Sequence, residues 1–152
     1  MSSGFKQAIL AAQDHILQMN PTLRYVGAHM GCMESDVGEI AKRFDRYPEF
    51  SVETGGRLYA LMIQPRDKVR AFLTKYQDRV LYGTDNILPY GAAKGALDQW
   101  RRTYARDWGL FATDQTFVLE GRKVQGLKLP EPVLRKIFHD NALKWIPGAG
   151  GK

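Results

Sequence analysis

Residues 23–28, 50–53 and 79–82 are short runs of β-forming side chains, and each is separated from the next by a stretch with helical spacing. Parallel neighbours in a sheet need a long crossover to return the chain to the same end, so this alternation predicts an α/β fold with three parallel strands and crossover helices. Such sheets gather their chemistry at the carboxyl ends of the strands. The third run ends in Gly83-Thr84-Asp85, a carboxylate beside glycine and threonine, and the first ends on His29 followed by Met30-Gly31. His29 and Asp85 are therefore the candidate catalytic residues.

Around these strands the periodicity is plain. Phe5, Ile9, Ala12 and Ile16 recur at helical spacing behind a capping Ser3, and Asn20-Pro21 stops the run. A second helix is expected over 35–47, capped by Ser35 or Asp36 and closed by Pro48, and a third over 66–76 with Val69, Phe72 and Leu73 on one face. Thr54-Gly55-Gly56-Arg57 reads as a turn, and the chain from there to Pro65 as a loop. Beyond Asp85 the spacing predicts a helix over 91–108, a small hairpin within 111–124 turning at Gly121, and a closing helix with Val133, Leu134, Ile137 and Phe138 inward. Residues 1–146 form one domain, and 147–152 are small and flexible in type, as at a terminus.

Composition narrows the function classes. No apolar run approaches the roughly 20 residues that span a bilayer, and the first residues lack a basic, apolar signal pattern, so a cytoplasmic setting is expected. The single cysteine, Cys32, excludes an internal disulfide framework and a cysteine-rich zinc site; it reads as a small loop residue after a strand. The net charge is +6 with a pI near 9.5, which raises nucleic-acid binding. Against that, the basic residues are scattered, and only Arg101, Arg102 and Arg106 cluster, beside Trp100 and Tyr104, without a nucleic-acid-binding signature.

Four segments together resemble the amidohydrolase-related metal-dependent (β/α)8 barrels that include aminocarboxymuconate semialdehyde decarboxylase. They are Val26-Gly27-Ala28-His29-Met30-Gly31, Val52-Glu53-Thr54-Gly55-Gly56-Arg57, Tyr76-Gln77-Asp78-Arg79-Val80-Leu81-Tyr82-Gly83-Thr84-Asp85 and Ile137-Phe138-His139-Asp140-Asn141-Ala142. Their order matches strands six to eight and the closing helix of such a TIM barrel. The resemblance implies that Asp85 is a metal ligand taking part in proton transfer and that His29 does acid/base chemistry. It also puts Arg57 where it could pair with a substrate carboxylate, although a surface arginine in a Gly-rich loop reads equally well. His139 is read as structural, and His15 as a surface residue. The implied cofactor is a divalent metal, zinc or manganese, which lowers the pKa of bound water from 15.7 to about 7.

A whole barrel takes eight βα units and about 250 residues. Here His15, His29 and His139 are the only histidines, so the His-x-His pair of the family's first strand and the histidine of its fifth are missing. The expectation is thus the carboxyl-terminal portion of a metal-dependent hydrolase or decarboxylase acting on a small-molecule substrate and inactive alone: a fragment of a barrel enzyme, a chain completed by self-association or a complementing chain, or a small independent α/β domain. The alternative is a non-catalytic α/β interaction module using the basic, aromatic surface around Trp100 to Trp108.

Overall fold

The structure, a computed structural model, describes residues 3–87 and 93–150. Strands β1 (Tyr25–Gly27), β2 (Phe50–Glu53) and β3 (Val80–Leu81) pair in parallel in the order β1-β2-β3, with Tyr25 opposite Phe50 and Val52 opposite Val80. Helix α1 (Ser3–Met19) precedes the sheet. Helix α2 (Val37–Arg46) crosses from β1 to β2, and α3 (Leu58–Met62) with α4 (Arg66–Lys75) crosses from β2 to β3. This is the predicted fold class, three parallel strands with helices between them, and it is consistent with part of a TIM barrel.

The central strand shows why the order holds. Phe50, Ser51 and Val52 are all buried, as a strand covered on both faces requires. Ile40 and Phe44 of α2 and Val69, Phe72 and Leu73 of α4 close over it. Phe44 stacks on Phe72 at 5.9 Å between ring centroids and meets Phe50 edge-on at 5.6 Å. The Asp36 carboxylate caps α2 by accepting the Gly38 N–H at 2.7 Å, so of the two expected caps it is Asp36 that serves.

After β3 come α5 (Ala93–Ala112), the hairpin β4 (Thr116–Leu119) and β5 (Arg122–Gln125), α6 (Glu131–Arg135), a wider π-type turn (Lys136–Asp140) and α7 (Asn141–Trp145). This closing segment seals the outer edge of β3. Asn141 Nδ2 donates to Gln77 O at 2.7 Å and Val80 O at 2.8 Å, Trp145 Nε1 donates to Asp78 O at 2.8 Å, and the Tyr82 N–H donates to Ile137 O at 2.8 Å. The far side of β1 has no such cover: among the described residues, no strand pairs with it.

Several expectations need correction. The apolar stripe of α1 does not face the core: Phe5, Ile9 and Ile16 are exposed, and the helix docks through Leu17, through Leu10 and through Asp14, which holds Arg43 at 2.8 Å. The loop after Arg57 contains a helical turn, α3, whose Leu61 is fully buried. The first and third strands are shorter than the expected runs: β1 omits Leu23, Arg24 and Ala28, and β3 omits Arg79 and Tyr82, whose N–H donates to Ile137 O instead. Phe111 belongs to α5 rather than to the hairpin, and it is buried. Gly121 does turn the hairpin, at φ +80°. The capping side chain of Ser3, the proposed helix start at Gly91 and the tail end Gly151-Lys152 lie outside the described residues.

Candidate functional site

Each strand of the parallel sheet is followed at its carboxyl end by a residue in the left-handed region: His29 at φ 55° after β1, Gly56 at φ 62° after β2 and Asp85 at φ 58° after β3. The first case is the most unusual. His29, Met30, Gly31 and Cys32 all have φ between 55° and 61°, a single left-handed turn in which the Cys32 N–H donates to His29 O at 3.0 Å. L-residues disfavour that conformation by roughly 1–2 kcal/mol each, so the turn persists only because its surroundings over-determine it. Met30 is fully buried, and Gly31 leaves space that Met33, Phe50 and Val52 fill.

A residue that sequence reasoning missed supplies the strongest of these constraints. The Glu53 carboxylate, at the last position of β2, accepts the His29 N–H on Oε1 at 2.5 Å and the Gly55 N–H on Oε2 at 2.6 Å. Gly55 in turn offers its carbonyl to His29 Nδ1 at 2.7 Å. Because a carbonyl can only accept, this bond requires a proton on Nδ1 and leaves Nε2 outside it. Gly83, after β3, also packs its bare α-carbon against Glu53 Oε2. The signal was available in the sequence: an acidic residue ending the middle strand, with glycines two residues on and just beyond the third strand.

The two catalytic candidates meet at Gly56. A β-carbon there would lie 3.1 Å from Asp85 Oδ2 and 3.7 Å from His29 Nδ1, so both side chains converge on one exposed glycine. Arg57 follows directly. It donates from Nη1 to Gly56 O at 3.0 Å, and its Nε lies 3.9 Å from Glu34 Oε1. Glu34 thus partly compensates its charge.

Beside Gly56 a cavity of about 240 Å³ runs between the strand ends and the later elements, lined by Thr54, Gly56, Thr84, Thr103, Arg106 and Asp107 among others. Its far wall is held by a buried carboxylate: Asp107 accepts Tyr82 Oη at 2.9 Å on one oxygen and Arg106 Nη2 at 2.7 Å on the other. Burial, and then the Asp107 charge, push the Tyr82 phenol well above the ordinary tyrosine range. The wall is therefore a hydrogen-bonded set of three side chains, with the Asp107 carboxylate between the Tyr82 hydroxyl and the Arg106 guanidinium. Neither His29 nor Asp85 lines this cavity; His29 borders a separate, apolar hollow of about 380 Å³ lined by Ile9, Ala12, Ile16 and Tyr25.

Among the described residues, no three His, Cys, Asp or Glu side chains stand together as a group able to hold a metal. Catalytic zinc sites usually take three protein ligands, so the side chains seen here do not fit a complete site. His139 lies on the outer surface with its ring against Asp140 at 2.8 Å, His15 is exposed on α1, and Cys32 is an exposed free thiol. Among the described residues, no helix is long and apolar enough to cross a membrane.

The family model described as amidohydrolase matches residues 3–147. No curated protein and no solved structure gives a match.

Proposed function

The chain belongs to the amidohydrolase family, a hydrolase lineage acting on small molecules, and from that membership we propose that it is the carboxyl-terminal portion of a metal-dependent hydrolase or decarboxylase. In this reading its strands are the sixth to eighth of a barrel of the aminocarboxymuconate semialdehyde decarboxylase type. His29 is the acid/base residue, Asp85 a ligand of zinc or manganese, and Arg57 a contact for a substrate carboxylate. The observation that carries the proposal is the convergence of the His29 ring and the Asp85 carboxylate on Gly56, at the carboxyl end of a parallel sheet.

The chain's own residues account for a limited part of such a reaction. With Nδ1 engaged by Gly55 O, the imidazole can take up and return a proton at Nε2. The cavity beside Gly56 offers threonine hydroxyls and Arg106 to a bound molecule. The side chains seen here do not make up a complete metal site, and the remaining ligands would come from further βα units, of the same polypeptide or of a complementing chain.

Metal content tests this directly. Purified 152-residue chain, grown with zinc or manganese and dialysed, should carry far less than one metal per chain by elemental analysis. Full occupancy would overturn the incomplete-site reading. A non-catalytic interaction module is the second reading, favoured by Tyr104 and Trp108, about half exposed near Arg101 and Arg102 on α5. Steeply salt-dependent binding to RNA or DNA would support it; a flat response to ionic strength would remove it.

A further inference from the structure

The carboxylate of Glu53 forms a closed ring of hydrogen bonds with the residues that hold His29. Oε1 takes the His29 backbone N–H at 2.5 Å, Oε2 takes the Gly55 N–H at 2.6 Å, and the Gly55 carbonyl takes His29 Nδ1 at 2.7 Å. One side chain thus fixes both ends of the histidine: its backbone directly, and its ring through the peptide that faces it. We propose that Glu53 is a positioning residue which holds His29 in its left-handed turn and sets the ring as the Nδ1-protonated tautomer, leaving Nε2 free to exchange a proton. The inference rests on the reading of His29 as the acid/base residue for its importance, but not for its geometry.

Physical chemistry makes this more than a generic strand-end contact. An ionised carboxylate has acceptor oxygens only, so it can satisfy two converging N–H groups at once, and such charge-assisted bonds are short and strong. The glutamine amide, of the same size, presents one acceptor and one donor. Whichever way it lies, an NH₂ faces a backbone N–H, so one of the two tethers is lost and replaced by a donor–donor clash. The packing around Glu53 leaves little room for it to shift, since the bare α-carbons of Gly55 and Gly83 both lie against Oε2. The left-handed turn then loses a restraint it needs, because residues in that region return to ordinary backbone conformations when they can. Released from the Gly55 carbonyl, the ring is free to carry its proton on either nitrogen.

The test is side-chain and amide NMR on the full chain, with His29 assigned by its loss in His29→Gln. In the wild type, above the imidazole titration range, long-range proton–nitrogen spectra should show His29 protonated on Nδ1; a ring protonated on Nε2 overturns the proposal without any variant. In Glu53→Gln the ring should shift to a mixture of tautomers. Hydrogen exchange at the His29 and Gly55 amides should speed up by about tenfold or more, the size of one charge-assisted bond lost. The rings of His15 and His139 and the sheet amide of Thr54, bonded to Leu81 O at 3.1 Å, should be unmoved, which separates positioning from a general loss of fold. Gly55→Ala gives a second route to the same end, since its β-carbon would stand 2.5 Å from Oε2 and displace the carboxylate without removing its charge. An unchanged His29 tautomer and unchanged amide protection in either folded variant overturns the assignment. None of these readouts needs substrate or metal, so their failure leaves the proposed function standing, and full metal occupancy leaves this inference standing.

Discussion

Asp85 rests its carboxylate against the bare α-carbon of Gly56, so closely that a β-carbon there would stand 3.1 Å from Oδ2. Two independent demands fall on that glycine, since its φ of 62° also lies where L side chains are strained. Gly56→Ala should cost about 1 kcal/mol or more through the backbone alone, and it should push Asp85 out of line with His29. Urea denaturation measures the first effect. An unchanged midpoint would mean that the turn relaxes without cost and that the glycine is not needed for conformation.

Asn141 offers a sharper stability test. Buried at 2% exposure, its amide satisfies Gln77 O and Val80 O together and thereby replaces the partner that β3 lacks on its outer edge. Asn141→Ala leaves the buried Val80 carbonyl without this donor, at about 1–3 kcal/mol before relaxation, and the half-buried Gln77 carbonyl at a smaller cost. Asn141→Asp should be at least as damaging, because an ionised carboxylate would face two carbonyl oxygens. Thermal and urea unfolding of both variants would check the order; a loss under about 0.5 kcal/mol in both would show that water replaces the amide.

The strand–helix alternation and the strand-end positions of His29 and Asp85 were legible because they depend on local periodicity and on which residue follows an apolar run. What was not legible depends on partners far along the chain. Glu53 looked like the ordinary last residue of a strand, and only folding brings it to the amide of His29. The left-handed turn is hidden for the same reason: Met30 and Cys32 have no local preference for positive φ, and tertiary packing imposes it. In α1 the helical period was clear, but periodicity does not say which side is covered. Phe5, Ile9 and Ile16 form the more regular stripe, yet Leu17 and the ion pair from Asp14 to Arg43 decide the docking.

Tyr82 predicts the alkaline behaviour of the fold. Burial and the Asp107 carboxylate raise its pKa in the folded chain above the ordinary value near 10. A raised folded-state pKa means that the stabilisation is fully present below the unfolded value and is lost as pH rises from there toward the folded one. Wild-type stability should therefore fall more steeply than that of Tyr82→Phe above about pH 10, whereas near neutrality the phenylalanine variant should be the weaker, since Asp107 loses a donor. Urea midpoints across that range give both slopes. Parallel slopes would show that Tyr82 ionises as freely folded as unfolded.

The two edges of the sheet are treated differently, and this bears on assembly. The outer edge of β3 is sealed by Asn141, Trp145 and the carbonyl of Ile137, whereas β1 has no strand beside it among the described residues. Along α1, Ile9 and Ile16 are each 45% exposed, and with Tyr25 and Ala28 they line the apolar hollow next to that open edge. An uncovered parallel edge flanked by apolar side chains invites pairing with another chain. We therefore expect the isolated chain to self-associate through β1 and α1. The double substitution Ile9→Gln with Ile16→Gln should shift it toward monomer, because it removes apolar area at the edge while leaving Leu10 and Leu17, which anchor α1, in place. Analytical ultracentrifugation over a range of concentrations would show the shift. A wild-type chain that stays monomeric at the highest concentration would mean that this edge needs no partner.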